Sequence, residues 1–281
     1  MKTHEVKQAI KTRYNKCAEV GDATTTCCCS SEPPENASYA TEHGLYSEEE
    51  LSLVPEISRS LSRGCGNPTG FADLQIGEVV VDFGCGAGID AILAAHKVMP
   101  GGKVVGVDFS TKMIDRAKQA VSETGLLNVI EFIVADMEQV DVPDGSVDVV
   151  ISNCVVNLCP DKKAVYREMF RILRPGGRLA ISDVVYEERI DPSVQEHLRK
   201  TWSGCVGGTI PVGSNFEILR TVGFVALEVV AHRLLSSKEL EEMACCPGPE
   251  FTPPPDKADF ELVQGKVGTI KFRAFKPTMS G

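Results

Sequence analysis

The chain has 281 residues, of which 43% are hydrophobic and 24% charged, so it is long enough to bury a sizeable core. Its net charge of −10 does not favour nucleic-acid binding, and no run of 18 apolar residues predicts a membrane span. The N-terminus lacks the apolar core of a signal peptide, so we expect a cytoplasmic chain whose eleven cysteines stay reduced.

An amphipathic helix and a polar linker are predicted first. Val6, Ile10 and Tyr14 recur at four-residue spacing, which predicts a helix within residues 1–20. The linker that follows, residues 21–40, carries three adjacent cysteines.

From residue 47 the chain alternates between helices and strands. Ser47 and the three glutamates after it predict a capped helix start, and the Gly, Asn and Pro of residues 64–68 predict a loop. Short apolar runs indicate strands at residues 78–83, 103–109, 129–136, 147–153 and 178–185. Helical patterns separate them at residues 89–98, 111–124 and 161–173. This alternation predicts an α/β fold, a Rossmann-like parallel sheet with helices on both faces.

The pattern loosens beyond residue 190, where we expect a small C-terminal α+β region. A helix near 193–201 leads into a loop around Cys205, followed by a short helix and a strand over 224–234. Residues 266–276 alternate like a strand, which we expect either at a sheet edge or as a small flap.

A glycine-rich turn joins the first predicted strand to a helix. Asp82 precedes Gly84, Gly86 and Gly88, and such glycines let a ligand approach a helix N-terminus closely. The dinucleotide fingerprint would place its third glycine where this chain has Ile89. The carboxylate before the turn would repel a pyrophosphate, whereas it suits a methionine-type amino group.

Acidic residues follow the next two strands as well. Asp108 is placed to accept both hydroxyls of a ribose, and Asp136 to accept from an adenine amino group, with Met137 as a polarizable contact. Each aspartate alone would also fit a helix cap or a turn. Three of them after successive strands favour a ligand site, because open α/β sheets bind ligands at the carboxyl ends of their strands.

These motifs resemble those of class I S-adenosylmethionine (SAM)-dependent methyltransferases over residues 70–185. DFGCGAG, GVDFS, AD and LRPGG occur in the order typical of that family. The resemblance implies SAM as cofactor, bound by Asp82, Gly84, Gly86, Gly88, Asp108, Phe109, Asp136, Met137 and Asn153. Asn153 would face the methyl-bearing sulfonium.

Cysteines mark the predicted acceptor side of the site. Cys154 lies at the end of the fourth strand, and Cys65 and Cys205 lie in loops flanked by Gly or Asn. Oxygen and carbon acceptors usually need a general base, but no histidine joins a strand-end motif. His43 and His197 are kept as alternatives, although surface or structural roles are favoured for both. Three thiolates suit a soft centre such as As(III), whose lone pair is already nucleophilic.

The sequence also resembles microbial arsenite SAM methyltransferases over residues 46–212. The matching stretches include YSEEELSLVPE, RGCGNPTGF, ISNCVVNLCPDK and WSGCVGGTIP. The resemblance implies methylation of thiolate-bound As(III) in detoxification, with Cys154 and Cys205 holding arsenic. Cys65 would complete the site or form a disulfide when methylated arsenic is reduced. The further N-terminal cysteine of the family would be one of Cys27, Cys28 and Cys29.

Domains and partners follow from this interpretation. We divide the chain into a helix and Cys-bearing linker (1–45), a SAM-binding domain (46–190), a region that completes the arsenic site (191–236) and a segment with Cys245 and Cys246 plus a strand (237–281).

The expected substrate is As(III) or its thiol conjugates, and the expected partner is a dithiol reductant such as thioredoxin or glutathione. We expect no nucleic acid, no membrane and a monomer.

Three alternatives stay open. The loop cysteines would also fit as small buried hydrophobes. The acceptor would otherwise be a small quinone-like organic molecule, although only 6% of residues are aromatic and a flat aromatic pocket is not evident. A non-catalytic, thiol-rich metalloid-binding protein is the third, and the intact acidic residues of the predicted SAM site argue against it.

Overall fold

A seven-stranded sheet organises the computed structural model, which describes residues 3–20, 44–195, 205–244 and 261–278. The strands are β1 (Val79–Phe83), β2 (Lys103–Asp108), β3 (Ile130–Val134), β4 (Val147–Asn153), β5 (Leu173–Tyr186), β6 (Val225–Leu234) and β7 (Val267–Phe275). Their order across the sheet is β3-β2-β1-β4-β5-β7-β6. Strands β1 to β5 are parallel, and β7 is antiparallel to both β5 and β6. The predicted α/β fold is confirmed.

The helices include α1 (Thr3–Val20), α2 (Glu48–Ser52), α3 (Glu56–Leu61), α4 (Ile89–Val98), α5 (Thr111–Ser122), α6 (Lys162–Ile172), α7 (Val212–Val222) and α8 (Ser237–Ala244). The helices predicted at residues 89–98, 111–124 and 161–173 are found close to those bounds, whereas the sequence predicts no separate helix for α3 or α8. Ser47 and Glu50 form the predicted capping box at the start of α2, which satisfies backbone N–H groups that the helix leaves unpaired. Among the described helices, none is long and apolar enough to cross a membrane.

Apolar side chains cover both faces of the sheet. Val81 and Phe83 of β1 pack into one core cluster with Tyr166 of α6, whereas Val80 packs into a second cluster with Ile92 of α4. Parallel strands with two buried faces need apolar side chains at successive positions, which explains why the strand sequences are almost continuously hydrophobic.

The position of the last strand corrects the prediction for residues 266–276. β7 is neither an edge strand nor a flap, because it lies between β5 and β6 and pairs with both. Its residues Ile270, Phe272 and Ala274 are buried in the core cluster that contains Val81 and Phe83, which is called the main core below. The C-terminal region therefore extends the main sheet.

Other predictions meet the limits of the described residues. Residues 192–195 are helical, and the rest of the helix predicted near 193–201 lies outside the described part. The same holds for several residues singled out in the sequence: Cys27, Cys28, Cys29, His43, His197, Cys245 and Cys246.

Candidate functional site

A cleft opens at the carboxyl ends of β1, β2 and β4. It encloses about 610 Å³, including its open mouth, and its lining includes Gly84, Gly86, Asp108, Phe109 and Cys154. The backbone φ angles of Gly84 and Gly86 are +74° and +52°, which are values that side chains disfavour. A Cβ on Gly84 would collide with Val155, whereas one on Gly86 would point into open space. The turn thus leaves room for a ligand directly against its backbone.

Two buried carboxyl groups that line this cleft, Asp90 and Asp108, and the neighbouring buried Asp82 give it its electrostatic character. Asp108 accepts hydrogen bonds from the backbone N–H groups of Gly86 and Ser110, at 3.0 and 2.8 Å. Burial raises the pKa values of Asp108 and Asp90 to about 6. Burial, and then the negative charges of Asp90 and Asp108, raise the pKa of Asp82 well above its usual range. The cleft therefore favours a ligand that carries positive charge.

The residues fit the cofactor expected from the sequence. SAM carries a positive sulfonium and an amino group, and the buried Oδ2 of Asp82 lacks a hydrogen-bond partner among the described residues. Buried polar atoms are usually paired, so this oxygen suits a ligand donor. Asp82, Gly88, Asp136 and Met137 are not among the described lining residues of the cleft.

Asp136 lies two residues beyond the end of β3 and not at the strand end as expected. It forms an ion pair with Lys7 of α1 at 2.7 Å, with its side chain 48% exposed. Met137 is buried in the main core. The roles of Asp136 and Met137 toward an adenine stay predictions.

Helix α1 lies over the cleft. Tyr14 belongs to the cleft lining, and Ile10 is buried in the main core. Asn15 Oδ1 accepts a hydrogen bond of 2.7 Å from Ser110 Oγ. These contacts bring a helix from the N-terminal segment onto the site formed by the sheet.

Asn153 joins the loop of Cys65 to the end of β4. Its Oδ1 accepts from the backbone N–H groups of Cys65 and Gly66, at 3.0 and 3.2 Å. Its Nδ2 contacts Gly66 O at 2.7 Å, Tyr46 Oη at 3.1 Å and Asp90 Oδ2 at 3.0 Å. Asn153 lines the cleft, but its amide is engaged in holding a neighbouring loop, and its role toward the sulfonium stays a prediction.

Cys65 and Cys154 lie close together beside the cleft. They are far apart in the sequence, since Asn153, which directly precedes Cys154, comes 88 positions after Cys65. Both are buried, and neither forms a disulfide. Cys154 has a φ of +61°, and its backbone N–H donates to Ser182 O at 2.7 Å. One atom each from Cys65, Cys154 and Asp183 (two sulfurs and a carboxylate oxygen) all lie within 4.8 Å of one another. This group is called the thiol cluster below.

A buried polar network leads from the thiol cluster to the turn that begins at Cys205. Asn157 Nδ2 donates to Asp183 Oδ1 at 2.9 Å and also contacts Val184 O and Thr209 Oγ1. Burial raises the pKa of Asp183 to about 6. The backbone of Cys205 starts the 3₁₀ turn Cys205–Gly208, and Val206 packs in the same apolar cluster as Cys65 and Cys154. The side chain of Cys205 lies outside the described part.

Four residues of the site are not among those predicted from the sequence: Asp183, Asn157, Tyr46 and Asp90. Asp183 had a visible signal, because it is an acidic residue within the mostly apolar stretch 179–185 of β5, at the end of the sheet that carries the other acids. Asp90 and Tyr46 gave no comparable signal, since their role depends on a contact between residues 44 positions apart.

The fold and the cleft together define a Rossmann-like protein of the class I methyltransferase type. Residues 74–244 match the model of a family described as a methyltransferase domain, and the chain belongs to this family.

Matches to individual proteins add detail to the family match. The chain is 39% identical over 80% of its length to an arsenite methyltransferase of Halobacterium salinarum and 33% identical over 66% to one of Aquipseudomonas alcaligenes. These matches span 59% and 55% of the relatives' own lengths, so the chain spans little more than half of each. Among solved structures, an arsenic(III) SAM methyltransferase from Chlamydomonas reinhardtii superposes with a TM-score of 0.64 at 29% identity, covering 78% of this chain and 69% of that one.

Proposed function

We propose that this protein transfers methyl groups from SAM to As(III) held by cysteine thiolates. The observation that carries the proposal is the thiol cluster, because Cys154 belongs to it and also lines the acidic cleft. Arsenite methyltransferases among the similar proteins support the same substrate.

The acidic cleft would bind and orient the cofactor. Asp82 would accept from the positively charged amino group of SAM, Asp108 would accept from its ribose hydroxyls, and the open backbone at Gly86 would admit the cofactor closely. When bound, SAM supplies an electrophilic methyl group on its sulfonium. The buried acids can act in this way because charges interact more strongly where water is excluded.

The two cysteines of the thiol cluster, together with Cys205, would hold the acceptor. Cys154 and Cys205 would bind As(III), and Cys65, held by Asn153, would complete the site. Soft thiolates bind a soft metalloid and leave its lone pair directed outward. Holding that lone pair about 3–3.5 Å from the methyl carbon, aligned for attack, supplies most of the rate acceleration that comes from orienting the reactants.

Each methyl transfer oxidises arsenic formally by two electrons. Reduction of the product would draw two electrons from a pair of thiols, which form a disulfide, and a dithiol of the thioredoxin or glutathione class would reduce that disulfide again. A reducing compartment such as the cytoplasm suits this cycle, and one chain contains both halves of the site.

Labelled methyl transfer tests the proposal. Wild type, Cys154→Ser and the control Cys159→Ala are incubated with labelled SAM, As(III) and a dithiol. Cys159 is a suitable control because it is buried in the main core, outside the thiol cluster. Methylated arsenic should appear with wild type and control but not with Cys154→Ser. SAM binding without any arsenic methylation by the wild type would refute the proposal.

A further inference from the structure

We propose that Cys65, Cys154 and Asp183 form a binding site for a thiophilic divalent cation of the zinc class. Each of the three contributes one donor atom, and the three atoms lie within 4.8 Å of one another in a buried environment. Two sulfurs and one carboxylate oxygen are donors that Zn²⁺ and Cd²⁺ accept, whereas Mg²⁺ and Ca²⁺ prefer oxygen alone. Cation binding does not depend on the arsenic chemistry proposed above.

The geometry needs only a small contraction. In a tetrahedral zinc site with Zn–S bonds of about 2.3 Å, two sulfur ligands lie about 3.8 Å apart. The three donor atoms lie within 4.8 Å of one another, so closing the site around an ion needs movements of about 1 Å. A water molecule would fill the remaining position.

The carboxylate of Asp183 is already oriented for this role. Its Oδ1 accepts from Asn157 Nδ2 at 2.9 Å and from the Val184 N–H at 2.8 Å, and its Oδ2 accepts from the Asn157 N–H at 3.2 Å. Hydrogen bonds of this kind fix the direction of a ligand, and proteins use them around bound metals. The apolar neighbours Tyr186 and Val206 exclude water and strengthen the attraction between a cation and its ligands.

Charge and proton balance are consistent with cation binding. Two thiols would each release a proton to solvent, and two thiolates with one carboxylate would then face a doubly positive ion. Cys154 also lines the cleft, so the ion has a path from solvent. Because the same thiols are proposed to hold As(III), a bound cation would exclude arsenic from the site.

Titration with Cd²⁺ alone tests the site, in the absence of SAM and arsenic. The chain for this test carries Ser at positions 27, 28, 29, 245 and 246, because adjacent cysteines bind soft cations on their own. Ultraviolet absorption of the sulfur–cadmium bond should report about one ion per chain. Cys154→Ser should abolish this signal, Asp183→Asn should weaken affinity by about tenfold or more, and Cys159→Ala should leave it unchanged.

A second measurement keeps the test decisive if Asp183→Asn fails to fold. In the five-serine chain, Cd²⁺ should protect Cys65 and Cys154 from alkylation, but not Cys17 of α1. Equal alkylation with and without Cd²⁺, or equal affinity in a folded Asp183→Asn chain, would overturn the site. Arsenic methylation is scored separately, so a chain that binds Cd²⁺ but never methylates arsenic contradicts only the proposed function.

Discussion

At the end of β4, a single amide group contacts Cys65, Gly66, Tyr46 and Asp90. Replacing Asn153 by Ala would leave several of these buried groups without a partner, and each such group costs about 1–3 kcal/mol. We therefore expect the free energy of unfolding to fall by about 2–4 kcal/mol. The Cys65 loop would also shift, and a displacement of about 1 Å can slow an oriented reaction about 100-fold.

Chemical denaturation and labelled methyl transfer measure these two effects of Asn153→Ala. The control is Asn128→Ala, since Asn128 is exposed and should leave both quantities unchanged. If Asn153→Ala methylates arsenic at the wild-type rate, the Cys65 loop does not depend on this amide.

Individual site residues differ in how far the sequence could predict them. Cys154 was predictable because it follows a strand whose end must lie at the ligand edge of a parallel sheet. The approach of Cys65 to Cys154 was expected only through family resemblance, since no periodic pattern relates residues so far apart. The hydrogen bonds of Asn153 to the Cys65 loop were not predictable, because they join residues far apart in the sequence, and its role toward the cofactor stays a prediction.

The sequence pattern of helix α1 predicts an amphipathic helix but not its position over the cleft. The four-residue spacing of Val6, Ile10 and Tyr14 predicted an amphipathic helix, and the structure confirms one over Thr3–Val20. The pattern cannot say which surface the apolar face covers, because many apolar faces would satisfy it. In the structure Ile10 packs in the main core and Tyr14 lines the cleft.

Loosening α1 should therefore weaken SAM binding. Ile10→Ala removes buried methyl groups, which lowers the free energy of unfolding by about 2–3 kcal/mol. Because Ile10 belongs to α1, the loss weakens the packing of this helix against the rest of the fold. We expect SAM affinity to fall about tenfold and hydrogen exchange of the α1 amides to increase. Calorimetry and exchange mass spectrometry measure the two effects. Gln8→Ala is the matched control, since Gln8 is exposed on the same helix; unchanged SAM affinity in Ile10→Ala would show that α1 does not contribute to the cleft.

β7 illustrates the limit of prediction for a strand. Its alternating residues 266–276 were sufficient to predict a strand, because one residue in two is apolar. Its neighbours in the sheet were not predictable, since β7 pairs with β5 across about 90 residues of sequence and enters between two earlier strands. The pairings of β1 with β2 and of β2 with β3 were easier, because they join successive strand–helix units, whereas β4 returns to pair with β1.

Across the whole molecule, carboxyl groups from several elements meet where the sheet ends. Asp82 from β1, Asp108 from β2, Asp90 from α4 and Asp183 from β5 are all buried. Burial raises the pKa of Asp82 well above its usual range and the pKa values of Asp90, Asp108 and Asp183 to about 6. An unfolded aspartate has a pKa of about 3.9. The folded state consequently binds more protons than the unfolded state between about pH 4 and pH 6.

The sign of the resulting pH dependence follows from this difference. A carboxyl group whose pKa is raised on folding destabilises the fold when ionised, so the ligand-free protein should gain stability as pH falls from 7 to 5. The gain is about 1 kcal/mol for each of Asp90, Asp108 and Asp183, and 1 kcal/mol corresponds to about 2–4 °C in Tm for a chain of this size. Glu239 acts in the opposite direction, because its pKa is lowered to about 2, but its contribution is lost only below about pH 4.5.

A positively charged ligand should oppose this trend, because it favours the ionised acids. Thermal unfolding at pH 5 and pH 7, with and without SAM, measures both effects: the ligand-free Tm should be higher at pH 5, and the increase caused by SAM should be larger at pH 7. Asp108→Asn should reduce the pH dependence, whereas Asp141→Asn should not, because Asp141 is exposed. A ligand-free Tm that falls between pH 7 and pH 5 would mean that these buried acids are already stabilised as anions by the fold, and the acidic cleft would then need no cationic ligand to balance it.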